Sequence, residues 1–260
     1  MNLNLQGKTA VVTGASRGIG LAIARALVLE GVRVVGVARK GSEELEATGA
    51  QVVQVDLTRI GSAQKVVDRA LEEFGSIDLL VNNVGGGDIP SDGGFLAISD
   101  AAWQDSFSLN FFSAVRMLRA ALPSLVEQQG AVVNISSVAA RLPVDTPIEY
   151  IAAKAALTAT GKALSQEFGP LGVRINTISP GIVRTDIWEA VGGYGSKLAN
   201  EAGVEISDFL ESLPEESGIT IGRISEPEEI AHLALFLLSG NASSISGADY
   251  VIDGGMMKGL

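Results

Sequence analysis

Short apolar runs rich in valine and isoleucine alternate with helical patterns along nearly the whole chain of 260 residues. Near-continuous apolar runs are typical of parallel strands that helices cover on both faces. We predict seven such strands, at 9–14, 33–39, 51–56, 77–83, 131–137, 174–179 and 249–253. This regular alternation indicates an α/β fold with one doubly wound, Rossmann-type parallel sheet.

The sequence contains no proline-rich or charged linker, internal repeat or low-complexity tract, so we predict one domain over residues 1–260. The rhythm of strands and helices is interrupted by an insertion at 182–224, after the sixth predicted strand. Trp188, Tyr194 and Phe209 stand there among glycines and acidic residues. An insertion beside the carboxyl end of a strand is a candidate substrate lid.

Composition narrows the possible chemistry and partners. The chain has no cysteine, which excludes disulfides, thiolate metal sites and cysteine nucleophiles. The formal net charge of −11 argues against nucleic acid or an anionic membrane as a partner. We find no signal peptide and no apolar run of about 18 residues that would cross a membrane, and we expect a cytoplasmic protein. The single histidine, His232, has no metal partner at useful spacing, and we expect no metal site.

The turn after the first predicted strand carries three glycines, Gly14, Gly18 and Gly20. Gly14 permits a tight turn, and small residues let backbone N–H groups approach a pyrophosphate at the positive end of the helix that begins near Gly18. The spacing G-x-x-x-G-x-G differs from the common G-x-G-x-x-G fingerprint, and glycines also serve ordinary turns. Because a strand precedes this turn and a helix follows it, we predict a phosphate-binding turn.

Tyr150 and Lys154 are four residues apart, on one face of a predicted helix. Most such pairs are an aromatic ring packed on a lysine stem. An ammonium at this distance also favours the phenolate, and lowering the tyrosine pKa from about 10 toward working pH makes the phenol a better general acid/base. Ser137 ends the fifth predicted strand, where ligands of such folds bind, and its hydroxyl can polarise a carbonyl. Ser136 competes for that role, because neighbouring strand residues point to opposite faces.

Seven motifs occur in an order that resembles the compact type of the short-chain dehydrogenase/reductase family, over about residues 5–255. They are TGASRGIG at 13–20, DL at 56–57, NNVG at 82–85, Asn110 within SLNFFSA, ISS at 135–137, EYIAAK at 149–154 and SPGIVRT at 179–185. The DGG at 253–255 fits as well. The one departure is Val84, where the family usually has alanine.

The resemblance implies an oxidoreductase of class EC 1.1.1.- that transfers a hydride between a nicotinamide and a ketone or secondary alcohol, similar to NADP-dependent carbonyl and ketoacyl reductases. It implies that Tyr150 is the general acid/base, that Ser137 orients the substrate oxygen, and that Lys154 tunes Tyr150 and holds the nicotinamide ribose. Asn110, within a long helix predicted over 102–128, would support a water that links Lys154 to solvent. Tyrosine and lysine four apart resemble the carbonyl-reducing branch, since related enoyl reductases carry the pair farther apart.

The resemblance also implies a set of cofactor-binding residues. They are Gly14, Ser16, Arg17, Gly18, Ile19, Gly20, Arg39, Asp56, Leu57, Asn82, Gly85, Tyr150, Lys154, Pro180, Gly181, Val183 and Thr185. In folds of this type an acid at the end of the second strand pairs with a free ribose 2′-hydroxyl, whereas arginine accommodates a 2′-phosphate. The sequence has Arg39 there, with Arg17 in the glycine turn. We therefore predict NADP(H), with NAD(H) as the alternative.

Three hypotheses follow: an NADPH-dependent ketoreductase, an NAD-dependent alcohol dehydrogenase, and a non-catalytic dinucleotide-binding sensor. The presence of all four catalytic side chains argues against the sensor. The family commonly forms tetramers, so a homotetramer is expected. The substrate is a small carbonyl or alcohol compound whose identity is left open. Its specificity is expected in 86–98 and 182–224, and the role of Trp188 is also open.

Overall fold

Seven strands lie side by side in the computed structural model, which describes residues 2–86, 94–142 and 146–259. They are β1 Thr9–Thr13, β2 Arg33–Ala38, β3 Gln51–Gln54, β4 Leu79–Asn82, β5 Ala131–Ile135, β6 Arg174–Pro180 and β7 Asp249–Ile252. Every pairing is parallel, and the order is β3-β2-β1-β4-β5-β6-β7. The predicted fold class, a seven-stranded doubly wound sheet, is confirmed.

Helices connect the strands and cover the sheet. They are α1 Gly18–Leu29, α2 Glu43–Glu46, α3 Ser62–Phe74, α4 Asp100–Phe107, α5 Ser113–Glu127, α6 Ile148–Phe168, α7 Asp186–Glu189, α8 Tyr194–Ala202, α9 Ile206–Glu216 and α10 Pro227–Leu238. Among the described residues, no helix combines the length and apolarity of a membrane span.

Two hydrophobic clusters, one on each face of the sheet, explain why the strands read as continuous apolar runs. Val12 of β1 packs in the cluster that contains residues of α1 and α10. Its neighbour Val11 packs in the cluster that contains residues of α3 and α5. Successive strand residues point to opposite faces, and helices cover both, so each position of the strand is buried.

The helix predicted over 102–128 is interrupted where Asn110 lies. α4 ends at Phe107, a π turn spans Ser108–Phe112, and α5 begins at Ser113. A π turn inserts an extra residue into a helix and is frequent at functional sites. The Asn110 side chain donates from Nδ2 to the carbonyl of Ser106, 3.1 Å away, and is buried. The predicted helix is therefore present from Asp100 to Glu127, and it contains a π turn that the residue pattern alone does not reveal.

The insertion at 182–224 contains α7, α8 and α9, which pack around a hydrophobic cluster of their own. The buried members of this cluster are Ile182, Ala199, Phe209, Leu213, Ile219 and Ile224. Val183, near the start of the insertion, forms a parallel β-bridge with Ser225, just after its end. This bridge holds the two ends of the insertion together. It follows β6, so its helices lie at the carboxyl edge of the sheet.

Candidate active site

A cleft of about 1420 Å³ opens at the carboxyl ends of the strands. Its wall includes residues that follow β1, β2, β4, β5 and β6, together with residues of α4, α6 and the 182–224 insertion. The strand order reverses between β1 and β4, and ligands of doubly wound sheets bind in the crevice at such a reversal. All four predicted catalytic residues, Asn110, Ser137, Tyr150 and Lys154, line this cleft.

Tyr150 lies in the first turn of α6 and is half-buried. Burial raises the pKa of its phenol above the ordinary value of 10.0, and a hydrogen bond with Ser137 lowers it by a smaller amount. The sequence led us to expect a lowered pKa, and that expectation is not met in this structure because desolvation outweighs the stabilising contact. The phenol is therefore protonated at neutral pH, the form that can donate a proton to a carbonyl oxygen.

Lys154 lies one turn further along α6, with only 3 % of its surface exposed. Its Nζ donates a hydrogen bond to the carbonyl of Ile135, 2.9 Å away, and lies 5.8 Å from the centroid of the Tyr150 ring. Burial lowers the pKa of Lys154 to about 8. The side chain thus remains mainly an ammonium at pH 7, close enough to stabilise negative charge that forms on Tyr150.

The two candidate serines have different surroundings. The Oγ of Ser136 contacts the Lys154 carbonyl at 3.1 Å and the Thr158 hydroxyl at 2.8 Å, so it is engaged with α6. The Oγ of Ser137 accepts a hydrogen bond from the N–H of Ala139 at 3.1 Å. That bond occupies a lone pair of Ser137, and its O–H reaches Tyr150, so the hydroxyl is placed to donate toward the oxygen of a substrate bound beside Tyr150.

Gly85 lies between Asn110 and Lys154. A Cβ added at Gly85 would come within 2.8 Å of Lys154 Nζ and 3.0 Å of Asn110 Oδ1, so both polar atoms border this glycine. The amide of Asn110 bonds to the backbone of Gly86 rather than to Lys154. The water relay expected at Asn110 therefore stays a prediction.

The glycine turn has the shape of an anion cradle. Gly14 and Gly18 adopt positive φ values of 65° and 54°, which favour glycine. A Cβ on Gly20 would overlap the carbonyl oxygen of Gly14, so this position also requires a glycine. No side chain caps α1 at Arg17, which leaves the first-turn N–H groups available to a ligand beside the cleft. These features fit the pyrophosphate of a dinucleotide.

The end of the cleft next to the glycine turn carries two exposed arginines, Arg17 and Arg39. Arg17 Nη1 lies 3.5 Å from a carboxylate oxygen of Asp186. For Arg39 no ion pair is found among the described residues. Asp56 is also at this end, where hydrogen bonds from the Thr58 hydroxyl and N–H lower its pKa, with smaller contributions from Arg59 and Arg39.

Fifteen of the seventeen predicted cofactor-binding residues line the cleft, and Gly20 and Asn82 do not. Asn82 is buried inside the sheet, where its Nδ2 donates to Oδ1 of Asn134 at 2.9 Å. Its neighbour Asn83 lines the cleft instead, and donates from Nδ2 to the carbonyls of Thr13 and Gly14 at 3.1 Å each. The sequence does not point to Asn83, because it does not fix which of the two asparagines lies beyond the end of β4.

Trp188, whose role the sequence left open, lines the cleft and packs edge-on against Tyr194, with ring centroids 5.2 Å apart. Within the segment 86–98, Gly86 lines the cleft, while 87–93 lie outside the described residues. Acidic side chains that were not predicted, Asp105 and Glu149 among them, also face the cleft. No cluster able to hold a metal ion occurs among the described side chains.

A doubly wound sheet with a glycine cradle at one end of its cleft and a Ser–Tyr–Lys cluster at the other defines a dinucleotide-dependent oxidoreductase. Comparison with known proteins agrees with this class. A family model described as enoyl-(acyl carrier protein) reductase matches residues 14–257. The chain belongs to the short-chain dehydrogenase/reductase family.

Relatives with established names cover essentially the whole chain. A 3-oxoacyl-[acyl-carrier-protein] reductase from Chlamydia muridarum is 35% identical over 266 residues, which cover 98% of this chain and 100% of that protein. A D-threitol dehydrogenase from Mycolicibacterium smegmatis is 35% identical, over 98% of this chain and 94% of that protein. The crystal structure of an L-sorbose reductase from Gluconobacter frateurii, complexed with NADPH and L-sorbose, has a TM-score of 0.91 and 34% identity, with 100% of both chains covered.

Proposed function

We propose that this protein is an NADP(H)-dependent oxidoreductase that interconverts a ketone and a secondary alcohol, with Tyr150 as the general acid/base. The observation that carries the proposal is the meeting of Ser137, Tyr150 and Lys154 on one wall of a cleft that also contains the glycine cradle. A general acid and a dinucleotide in one cleft are what hydride transfer to a carbonyl requires.

The chain's own residues supply binding and proton transfer. The bound dihydronicotinamide would supply the hydride that the carbonyl carbon accepts. Ser137 donates a hydrogen bond to the carbonyl oxygen, and Tyr150 donates its proton to the same oxygen as negative charge develops there. The ketone thus gains one hydride and one proton and becomes a secondary alcohol. The ammonium of Lys154 stabilises the phenolate that remains on Tyr150.

The phenol form of Tyr150 is the form that the reductive direction of the proposed reaction uses. Burial raises the pKa of Tyr150, so the phenol carries its proton at neutral pH. Reduction of a ketone needs this form, whereas oxidation of an alcohol needs the phenolate. An NAD-dependent dehydrogenase that works in the oxidative direction is the alternative, and it would require a cofactor preference opposite to the one Arg39 predicts.

Arg39 and Arg17 support NADP(H) over NAD(H). Both line the end of the cleft next to the glycine turn, where the adenosine half of a dinucleotide binds in this fold. A charge-assisted hydrogen bond from an arginine to a 2′-phosphate contributes about 1.5–3 kcal/mol. Both side chains are exposed, so solvent screening reduces this contribution. The L-sorbose reductase that resembles this chain was crystallised with NADPH.

The reaction we propose is reduction of a carbonyl, although the matching family model is described as an enoyl reductase. Tyr150 and Lys154 are four residues apart, the spacing that resembles the carbonyl-reducing branch. The relatives named above, a 3-oxoacyl reductase, a threitol dehydrogenase and a sorbose reductase, have names that describe chemistry at a carbonyl or a hydroxyl.

The decisive experiment replaces Tyr150 with phenylalanine, which removes only the hydroxyl. Ketone-dependent oxidation of NADPH should fall by about 10²- to 10⁴-fold, the usual contribution of a general acid. Fluorescence titration should show NADPH affinity within about twofold of wild type, because the glycine cradle and the arginines are unchanged. Undiminished turnover by Tyr150→Phe would refute the mechanism. A matching loss of NADPH binding would show damage to the cleft instead.

We further propose that the protein assembles as a homotetramer, the assembly that the family resemblance implies for the long helices beside β5 and β6. Two exposed apolar side chains, Phe112 in the π turn before α5 and Ile148 at the start of α6, are compatible with a covered surface. Light scattering at micromolar concentration tests this, and a monomeric mass would contradict it. The single domain over 1–260, the lid role of 182–224 and the cytoplasmic location stay predictions.

A further inference from the structure

The chain turns sharply after β7, and the DGG at 253–255 forms the turn. Both glycines adopt positive φ values, 65° for the first and 81° for the second, which favour glycine. Asp253 is buried, and its carboxylate accepts hydrogen bonds from the N–H groups of Gly255 and Met257, at 2.8 Å each. An aspartate that bonds to the backbone ahead of it stabilises a turn. The segment 253–259, which we call the tail, therefore has a fixed course.

The tail is bound to the end of the 182–224 insertion. The hydroxyl of Thr220 donates a hydrogen bond to the carbonyl of Gly254 at 2.9 Å. Nζ of Lys258 donates a hydrogen bond to the carbonyl of Gly218 at 2.6 Å. Both contacts join the tail to the part of the insertion that follows α9. The tail and the insertion therefore form one wall at the carboxyl edge of the sheet.

Met256 is the member of the tail that lines the cleft, among the described residues. Its side chain is half-buried and packs against the hydrophobic cluster of the insertion. Trp188, Leu198 and Phe209 belong to the same cluster and also line the cleft. Methionine is flexible and polarisable, and it suits surfaces that accommodate apolar groups of different shapes. The four side chains give this wall of the cleft an apolar surface.

The polar side chains of the cleft differ in what they offer to a substrate. The charged side chains of this wall within the described residues, Asp186, Glu201 and Glu216, are exposed, so their carboxylates remain hydrated. Pockets for small molecules are mostly apolar and contain a few polar groups that orient the ligand. Ser137 and Tyr150 line the same cleft and supply those groups for a carbonyl. A ketone with an extended apolar substituent matches both parts, whereas a polyhydroxylated substituent would lose hydrogen bonds to water against the apolar wall.

We propose that Met256 is a specificity-determining residue that contacts the apolar substituent of a ketone or secondary alcohol. The inference rests on the proposed oxidoreductase function and names its substrate class. The hydrogen bonds of the tail hold Met256 in the wall of the cleft, so its side chain forms part of the surface that a substrate meets. Each methylene that the wall covers should raise kcat/KM by up to about fourfold. An alkyl chain or an aromatic ring is therefore preferred over a short or hydroxylated substituent.

The test compares 2-nonanone with 2-butanone, two methyl ketones that differ only in the length of the alkyl chain. The wild type should have the higher kcat/KM for 2-nonanone. Met256→Ala should lower the ratio of the two kcat/KM values by about 10-fold, because it removes apolar contacts that only the longer chain makes. Met256→Leu, which nearly conserves the side-chain volume, should keep the ratio within about threefold of wild type. Met257→Ala is the matched control, because Met257 is the next residue of the tail and is not part of the described cleft wall.

Calorimetric titration of the protein–NADP⁺ complex with 2-nonanone measures binding without turnover, because the oxidised cofactor cannot reduce a ketone. Met256→Ala should bind 2-nonanone about 10-fold more weakly than the wild type, and Met257→Ala within about twofold of it. An unchanged ratio in Met256→Ala, an equal fall in Met256→Leu or Met257→Ala, or no wild-type preference for 2-nonanone would overturn the role of Met256 and leave the proposed function standing. Met256-dependent binding without any NADPH oxidation would instead refute the proposed function alone.

Discussion

Asn110 holds both polar groups of the Gly86 backbone. Its Oδ1 accepts a hydrogen bond from the Gly86 N–H at 2.9 Å, and its Nδ2 donates to the Gly86 carbonyl at 2.9 Å. Because Asn110 lies in the π turn between α4 and α5, its position in the helix depends on that widened turn. The side chain thereby fixes the chain that leaves β4, including Gly85, which borders Lys154. Asn110 thus positions one wall of the site.

Replacement of Asn110 by alanine should impair catalysis more than folding. Water can reach Gly86, which is partly exposed, so we expect the free energy of unfolding to fall by only about 1–2 kcal/mol. Turnover should fall more than about tenfold, because Gly85 and Lys154 lose their fixed separation. Urea denaturation and steady-state kinetics measure the two effects. Ser106→Ala, which removes only a long 3.4 Å contact to Asn110, is the control. Unchanged turnover in Asn110→Ala would assign this residue to folding alone.

Gly85 and Gly86 offer a matched pair of substitutions. A Cβ at Gly85 would come within 2.8 Å of Lys154 Nζ, closer than real Cβ atoms approach other atoms. Among the described residues, a Cβ at Gly86 would meet only a Leu109 methyl, at 3.9 Å. Gly85→Ala should therefore displace the lysine and lower kcat by about tenfold or more, while Gly86→Ala stays within about threefold of wild type. The comparison uses kcat at saturating NADPH. Equal effects of the two variants would contradict a steric role for Gly85.

The fold could be predicted from the sequence because parallel strands covered on both faces must be apolar throughout. The predicted strand at 131–137, for example, corresponds to β5, Ala131–Ile135. Every residue of β5 is buried, which is what its near-continuous apolar sequence predicts. The structure of the 182–224 insertion was not predicted, since its three short helices pack on each other rather than on the sheet.

The site could be predicted less completely than the fold. The order of the motifs predicts which residues meet in the cleft, but it does not predict the direction in which each side chain points. Asn82 turns into the sheet and Asn83 reaches the glycine turn, because one residue of register reverses the face. The raised pKa of Tyr150 depends on how deeply α6 packs, which the spacing to Lys154 does not reveal. The position of Met256 in the wall of the cleft likewise depends on the packed structure.

Arg39 should discriminate between the two nicotinamide cofactors more strongly than Arg17. Arg17 lies 3.5 Å from Asp186, so binding a phosphate would compete with that ion pair, whereas Arg39 has no described ion pair to break. Arg39→Ala should weaken NADPH binding about tenfold and leave NADH binding within about twofold, since NADH has no 2′-phosphate. Fluorescence titration with both cofactors measures this. Equal losses of NADPH and NADH affinity in Arg39→Ala would show that Arg39 does not recognise the 2′-phosphate. Equal affinity of the wild type for the two cofactors would contradict the predicted preference for NADPH.

Lys154 should make the stability of the fold depend on pH in the alkaline range. Burial lowers the pKa of Lys154 from 10.5 to about 8, which disfavours the charged form in the folded state. Below about pH 8 the lysine is protonated in both states, and the folded state bears the whole cost of burying the ammonium. Between about pH 8 and 10.5 the folded state releases its proton first, so the unfolded state binds more protons and stability rises with pH. At about 1.4 kcal/mol for each unit of pKa, the rise is about 3 kcal/mol.

Comparison of the wild type with Lys154→Met isolates this contribution, because other groups that titrate in the same range are common to both proteins. Urea denaturation at intervals from about pH 7 to 10.5 should give a difference in unfolding free energy, wild type minus variant, that grows by about 3 kcal/mol. Lys162→Met, at an exposed lysine of the same helix, should keep the wild-type dependence. Parallel curves for the wild type and Lys154→Met would show that the ammonium is not desolvated, and the electrostatic support for the Tyr150 phenolate would then be weaker than its burial implies.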